Sequence, residues 1–170
     1  AHSGLQNLVE QYTFDRFVDR EPFQKKLKTG ALDFLRNHDR QWFFVGGQVG
    51  AGKTHLCTAI SVAFLKQGMG VRYMMWCDDS AKLKSVANDL AEYERRIQPL
   101  KTIPVLYIDD FFKTSLDDRG QKKSPTQADI RLAFELLNYR YNNNCTTILS
   151  SEWTVDEILN CDEAVGSRIY

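Results

Sequence analysis

The 170-residue sequence lacks several features that would place it in a specialised class of protein. It has no excess of charge, with 22 basic and 22 acidic side chains, so any polyanion must be bound by a local patch. No apolar run approaches the length of a membrane span, and the start lacks the charged and apolar segments of a signal peptide. These absences favour a cytoplasmic domain with no membrane partner.

Cysteine is scarce and scattered. The four cysteines form no C-x-x-C pair and have no histidine cluster of ligand spacing beside them. They are therefore predicted to be reduced rather than paired in disulfides or bound to zinc. The content of 43% apolar and 26% charged residues is typical of one globular domain with a single sizeable core.

The residues from Gly47 to Thr54 fit the pattern G-x-x-x-x-G-K-[ST] of a P-loop. The glycines let backbone N–H groups point at phosphate oxygens, Lys53 adds positive charge at the β and γ phosphates, and the Thr54 hydroxyl is placed to hold Mg²⁺. A strand-like apolar run precedes the motif and a helical pattern follows it, which is the context the motif needs. We therefore predict an ATP site. The predicted nucleotide-binding residues are Gly47, Gln48, Val49, Gly50, Ala51, Gly52, Lys53, Thr54 and His55.

Strand-like and helix-like segments alternate along the chain. Strands are predicted over residues 42–45, 71–76, 105–108 and 145–150. Helices are predicted from Glu21-Pro22 to near Asn37, from His55 to Gly68 or Gly70, from Ser80 toward Pro99, and from a capping box of Ser124 and Gln127 to Tyr141. A second capping box, Thr154 with Glu157, is predicted before the last helical segment. Strands separated by helices of ten or more residues indicate an α/β fold with a parallel sheet.

Two carboxylates, Asp109 and Asp110, follow the third predicted strand. The carboxyl ends of parallel strands meet at the same crevice as the P-loop, so we expect Asp109 to reach the Mg²⁺ shell. Asp110 is expected to orient or deprotonate the attacking water. Because aspartate is shorter than glutamate, turnover by this site is expected to be slow.

These segments resemble the AAA+ ATPase core and, more narrowly, the DnaC/DnaI-type replicative helicase loaders of bacteria and phages. The resemblance rests on the P-loop, the strand ending in Asp109-Asp110, and residues 147–152 and 166–169, with support from residues 12–17, 134–141 and 162–165. It implies a three-layer P-loop NTPase core with a parallel sheet over residues 21–170. A lead-in segment, residues 1–20, precedes that core, and its Tyr12, Phe14 and Phe17 are candidates for docking on it.

The resemblance also implies roles for individual residues. Ser150, Ser151 and Glu152 match the sensor 1 segment, in which Ser151 is expected to be the nearer polar contact to the γ phosphate. Arg168 matches the arginine finger, which acts on the nucleotide of an adjacent subunit and so implies self-association through that face. Single-stranded DNA and a replicative DNA helicase are the implied partners.

A basic stretch occupies the place of the family's DNA-facing element, after the second predicted strand. Its members are Lys82, Lys84, Arg95 and Arg96. The mixed charges there are equally typical of a solvated helix face, since Glu92 and Glu94 are interleaved with the basic residues.

The sequence stops just past Arg168, before the fifth strand and the C-terminal lid that the family would supply. We therefore expect a piece of a longer protein, with residues 42–45 at an exposed sheet edge. Two alternatives remain open. One is an IstB-like transposition helper ATPase, which shares the core and differs in its partner, and the other is a nucleotide-ordered interaction module with little turnover.

Overall fold

The computed structural model describes residues 9–38 and 41–170. Its strands are β1 (Trp42–Gly46), β2 (Val71–Met75), β3 (Val105–Phe111) and β4 (Thr146–Ser151). Its helices are α1 (Pro22–Arg36), α2 (Lys53–Lys66), α3 (Trp76–Ser85), α4 (Leu90–Thr102), α5 (Gln127–Asn142), α6 (Val155–Cys161) and α7 (Glu163–Ile169). The alternation of strands and helices predicted from the sequence is confirmed.

All four strands are parallel and lie in the order β1-β4-β3-β2. Helices cover both faces of the sheet, so each face carries its own apolar core. One core joins α1 and α2 to the sheet around Leu56, Ile60 and Phe64, and the other joins the remaining helices around Leu136 and Ile108. The predicted three-layer α/β fold is therefore confirmed, and β1 forms one edge of the described sheet as predicted.

The carboxyl ends of β1, β3 and β4 meet at one end of the sheet. Ser151 at the end of β4 pairs with Gly46 at the end of β1, and Gly47 N–H donates to the Ser151 carbonyl at 3.2 Å. On the other side, Ile108 pairs with Leu149, and the pairing is irregular between Ile108 and Phe111. This arrangement brings the P-loop beside the two carboxylates that follow Ile108.

The segment after β2 differs from the prediction. Trp76, predicted as the last strand residue, instead begins α3, where its ring packs on Phe111 and Phe112. The single helix predicted from Ser80 is divided into α3 and α4, because Asp89 caps a new helix by accepting a hydrogen bond from Glu92 N–H at 3.0 Å.

One predicted capping box is wrong and the other is confirmed. The cap of α5 is Thr126 with Asp129, not Ser124 with Gln127: Asp129 N–H donates to the Thr126 hydroxyl, and Thr126 N–H donates to the Asp129 carboxylate. The helix therefore begins two residues later than the proline suggested. Thr154 with Glu157 caps α6 as predicted.

Among the described residues, no helix is long and apolar enough to cross a membrane.

Candidate nucleotide-binding site

The P-loop forms a cradle between β1 and α2. Gly50 and Gly52 both have a φ of 82°, a left-handed conformation that glycine adopts without strain. A Cβ on Gly52 would lie 2.8 Å from the Phe17 ring, so this position is also closed to larger residues by packing. The loop therefore needs glycine at both positions for its backbone conformation, and at Gly52 also for packing.

Lys53 is the first residue of α2 and only 8% exposed. Its ammonium donates to the carbonyls of Gly47 at 2.8 Å and Gln48 at 2.7 Å. Burial lowers the pKa of Lys53, and nearby carboxylates, Glu152 foremost, oppose that shift. Within residues 9–38 and 41–170, this ammonium bonds carbonyls of its own loop and no carboxylate, so its charge is available for an anion.

Thr54 and Asp109, the two predicted Mg²⁺ ligands, lie in hydrogen-bond contact. The Thr54 hydroxyl donates to Asp109 Oδ1 at 3.2 Å, across from α2 to β3. The Ser150 hydroxyl on β4 donates to the same Oδ1, and the Tyr73 hydroxyl on β2 donates to Oδ2 at 3.1 Å. A hydroxyl and a carboxylate beside a phosphate cradle fit Mg²⁺, which binds through few protein oxygens together with phosphates. When bound, the ion would neutralise phosphate charge.

Ser150 and Ser151 occupy different environments. Ser151 is fully buried; its hydroxyl donates to the Phe111 carbonyl at 2.6 Å and accepts from Trp153 N–H at 3.0 Å. Ser150 instead contacts Asp109 and also accepts from Asp110 N–H at 3.2 Å. Ser150, rather than Ser151, therefore contacts the predicted Mg²⁺ ligand Asp109, whereas the hydroxyl of Ser151, the predicted γ-phosphate contact, is bonded to Phe111 and Trp153.

A lysine that the sequence reasoning passed over, Lys113, lies between two carboxylates of the site. Its ammonium is 2.8 Å from Asp110 Oδ2 and 3.2 Å from Glu152 Oε1. The hydrogen bond with Asp110 raises the pKa of Lys113 to about 12. Asp110, the predicted base, is thus ion-paired, and Glu152 is turned toward a cation rather than left to repel phosphate.

The lead-in segment docks on the site through its aromatic residues. His55 Nε2 lies 2.7 Å from the Thr13 carbonyl, and the His55 ring meets Tyr12 and Phe17 edge-on at 5.0 and 5.3 Å. Tyr12 thereby lines a cleft of about 360 Å³ together with the P-loop, Asp110, Lys113 and Glu152. The docking of Tyr12 and Phe17 agrees with prediction. His55, a predicted nucleotide-binding residue, contacts the lead-in segment here.

Arg168 lies near the opposite end of β1 from the P-loop. It lines a cleft with Trp42, the first residue of β1, whereas the P-loop follows Gly46, the last residue of that strand. Its guanidinium donates to Asn138 Oδ1 at 3.2 Å and stacks 5.0 Å above the Tyr141 ring. Arg168 is thus not brought together with the phosphate cradle of its own chain.

Each of the four predicted DNA-contacting cations is in an ion pair. Lys82 pairs with Asp79 and Lys84 with Asp129. Arg95 and Arg96 share Glu92. Three of the four, Lys84 excepted, line a cleft of about 320 Å³ between α3 and α4 that also includes Arg72.

The three-layer fold and the glycine cradle are those of a P-loop ATP-binding domain. Residues 3–164 match the family described as IstB-like ATP binding protein, and the chain belongs to that family. YqaM of Bacillus subtilis (strain 168) is 38% identical over the whole chain, which spans 55% of YqaM. The chain spans about half the length of the curated relatives it matches first.

Two solved structures show the same fold. The crystal structure of the DnaC helicase loader superposes with a TM-score of 0.75 at 19% identity, covering 95% of this chain and 90% of that one. AMPPCP-bound DnaA from Aquifex aeolicus gives 0.76 at 20% identity, covering 94% of this chain and 47% of that one.

Proposed function

We propose that this chain is the Mg²⁺-ATP-binding and ATP-hydrolysing domain of a DNA replication helicase loader. The observation that carries the proposal is the 3.2 Å approach of the Thr54 hydroxyl to Asp109 beside the glycine cradle. The contact places a hydroxyl and a carboxylate, both suitable Mg²⁺ ligands, next to the loop that holds phosphates in P-loop proteins. The DnaC helicase loader shares this fold over 90% of its own chain, which supports the loader assignment.

In this proposal, one set of residues binds the nucleotide and another activates the attacking water. The P-loop N–H groups and Lys53 hold the phosphates, and Thr54 and Asp109 hold Mg²⁺. Asp110 must leave Lys113 before it can accept a proton from the attacking water, which is a reason to expect slow turnover in the isolated domain.

Arg168 would complete the site in an assembly. Because it lies beside the start of β1, it can reach a phosphate only in a neighbouring copy, where it would stabilise charge in the transition state. Nucleotide state would in this way be coupled to contacts between subunits, and through them to the helicase and single-stranded DNA.

The test is phosphate release by the wild-type chain and Arg168→Ala, with Arg131→Ala, an exposed arginine on α5, as the matched control. Each is assayed alone, with single-stranded DNA, and with DNA plus a replicative helicase. Arg168→Ala is expected to lower turnover in the mixtures without weakening nucleotide binding to the isolated subunit. Equal loss of turnover and binding would contradict the arginine-finger role.

The cleft between α3 and α4 is the proposed DNA-contacting surface. Three of its cations, Lys82, Arg95 and Arg96, are already paired, so their contact with DNA would require exchange of carboxylates for phosphates and should weaken steeply with salt. Fluorescence anisotropy of a labelled single strand, measured across a salt series, tests this. Salt-independent binding would argue against a phosphate-dominated interface.

An IstB-like transposition helper is the second candidate, favoured by the family to which the chain belongs. It shares the ATP site and differs in its partner. A pull-down with the full-length protein against a replicative helicase and a transposase separates the two. An ATP-ordered interaction module is favoured by the Asp110–Lys113 ion pair, and a flat background of phosphate release in every mixture would support it.

A further inference from the structure

Lys113 is presented to the nucleotide cleft by an unusual turn at the end of β3. Asp110 and Phe112 have φ angles of 53° and 59°, a left-handed conformation that non-glycine residues adopt at a cost in energy. Between them the chain reverses so that Lys113 N–H donates to the Asp110 carbonyl at 2.9 Å. The turn thereby folds the Lys113 side chain back onto the Asp110 carboxylate.

Buried contacts hold this turn in place. The Ser151 hydroxyl donates to the Phe111 carbonyl at 2.6 Å, and Trp153 Nε1 donates to the Phe112 carbonyl at 2.9 Å. The Phe111 and Phe112 rings stack at 4.1 Å and are almost completely buried. Residues on β4 and after it thus fix the backbone that carries Lys113, so its position does not depend on a mobile loop.

The charges around the cleft create a difficulty for a triphosphate. Asp109, Asp110 and Glu152 are acidic, and the last two line the cleft with Lys53 and Thr54. Mg²⁺ would offset Asp109, but two carboxylates remain at the end of the cleft where a P-loop directs the terminal phosphate. Lys113 lies within 3.2 Å of both of these carboxylates.

We propose that Lys113 is a specificity-determining residue that selects nucleoside triphosphate over diphosphate by neutralising Asp110 and Glu152 at the terminal-phosphate end of the cleft. The inference rests on the proposed ATP-binding function and deepens it. A diphosphate ends short of these carboxylates, so its binding depends on the P-loop and Lys53 and not on Lys113. A triphosphate would meet two uncompensated negative charges without Lys113.

The experiment compares the affinities of a hydrolysis-resistant ATP analogue and of ADP, both with Mg²⁺, by calorimetric titration of the full chain. The variants are Lys113→Met, which keeps the apolar stem, and Lys113→Arg, which keeps the charge. Lys66→Met, at the exposed far end of α2, is the matched control. Thermal unfolding of each variant confirms that the domain remains folded.

Lys113→Met is expected to weaken analogue binding about tenfold and ADP binding less than twofold, since water partly screens a side chain that is 41% exposed. Lys113→Arg should retain selectivity. Adding Glu152→Gln to Lys113→Met should restore part of the lost affinity, because it removes one of the unneutralised charges.

Equal loss for the two nucleotides, no loss for either, or no recovery with Glu152→Gln would overturn the inference while leaving ATP binding intact. Failure of the wild-type chain to bind either nucleotide would instead refute the proposed function, and this inference with it.

Discussion

Arg140 provides the sharpest test of how the site is held in place. It lies in the last turn of α5 and is fully buried. Its guanidinium donates to the carbonyls of Leu100 and Lys101 at the end of α4, to Thr147 Oγ1 at 2.9 Å and to the Thr146 carbonyl at 2.6 Å. It therefore caps α4 and fixes the start of β4, which carries Ser150, and its bonds to the Ile103 and Pro104 carbonyls hold the residues just before β3, which carries Asp109.

We expect Arg140→Met to lower the free energy of unfolding by about 3 kcal/mol. A helix end leaves its last carbonyls without partners, and each buried carbonyl that loses its donor costs about 1–3 kcal/mol. Removing the guanidinium also relieves the cost of burying a charge, which is evident in the lowering of the pKa of Arg140 to about 10 by burial. The guanidinium bonds five carbonyls, so even if some of them find other donors the loss exceeds this relief.

Urea denaturation followed by far-ultraviolet circular dichroism measures the loss, with unchanged slope as the check that unfolding stays cooperative. Arg140→Lys keeps the charge but not the planar fork, so it should lose an intermediate amount. Arg131→Met, on the exposed face of the same helix, should stay within about 0.5 kcal/mol of wild type. An Arg140→Met variant whose free energy of unfolding is within about 1 kcal/mol of wild type would refute the stabilising role of these Arg140 hydrogen bonds.

Two further predictions concern the serines and the acid stability. Ser150→Ala should weaken Mg²⁺-dependent nucleotide binding several-fold. Ser151→Ala should mainly lower the free energy of unfolding, by about 1–3 kcal/mol, because it leaves a buried carbonyl and a buried amide without partners. Nucleotide titration with and without Mg²⁺, together with urea denaturation, tests this, and the reverse pattern would contradict it. For Asp129, burial raises the pKa but hydrogen bonds from Lys84 and Thr126 outweigh it, so the folded pKa lies below the ordinary 3.8. Its stabilising effect is present above that value and is lost as pH falls through the folded pKa. Asp129→Asn should therefore flatten the decline in stability on acidification, and an unchanged pH profile would count against this.

Much of the fold follows from local sequence signals. The P-loop pattern, the apolar strands and the Thr154–Glu157 box are short-range features whose physical basis lies within a few residues. The sequence did not predict the split between α3 and α4, because apolar residues recur at helical spacing on both sides of Asp89. This periodicity conceals Asp89 as the N-cap of α4. The wrong cap of α5 has a similar cause: Pro125 allows a helix start, but the Thr126–Asp129 pair satisfies the backbone better.

The site was predictable where it depends on one segment and not where it depends on several. Tyr73 on β2 pairs with Tyr107 on β3. Tyr107 precedes Asp109 by two residues on the same strand, so Tyr73 and Asp109 lie on the same face of the sheet. That signal requires the register of β2 and β3, which sequence alone does not supply. The choice of Ser150 over Ser151 likewise depends on the irregular pairing after Ile108. Lys113 reaches Asp110 only because of the left-handed turn, for which its sequence has no glycine signal.

The most direct test of the account is titration of the chain with Mg²⁺-ATP, comparing wild type with Lys53→Ala and with Lys66→Ala as the control. Lys53 is the buried cation of the cradle, and its loss should weaken binding at least about 100-fold, equivalent to about 2.7 kcal/mol. Lys66→Ala should bind as wild type does. Unchanged ATP affinity in Lys53→Ala would contradict the assignment of Gly47 to Thr54 as the phosphate cradle.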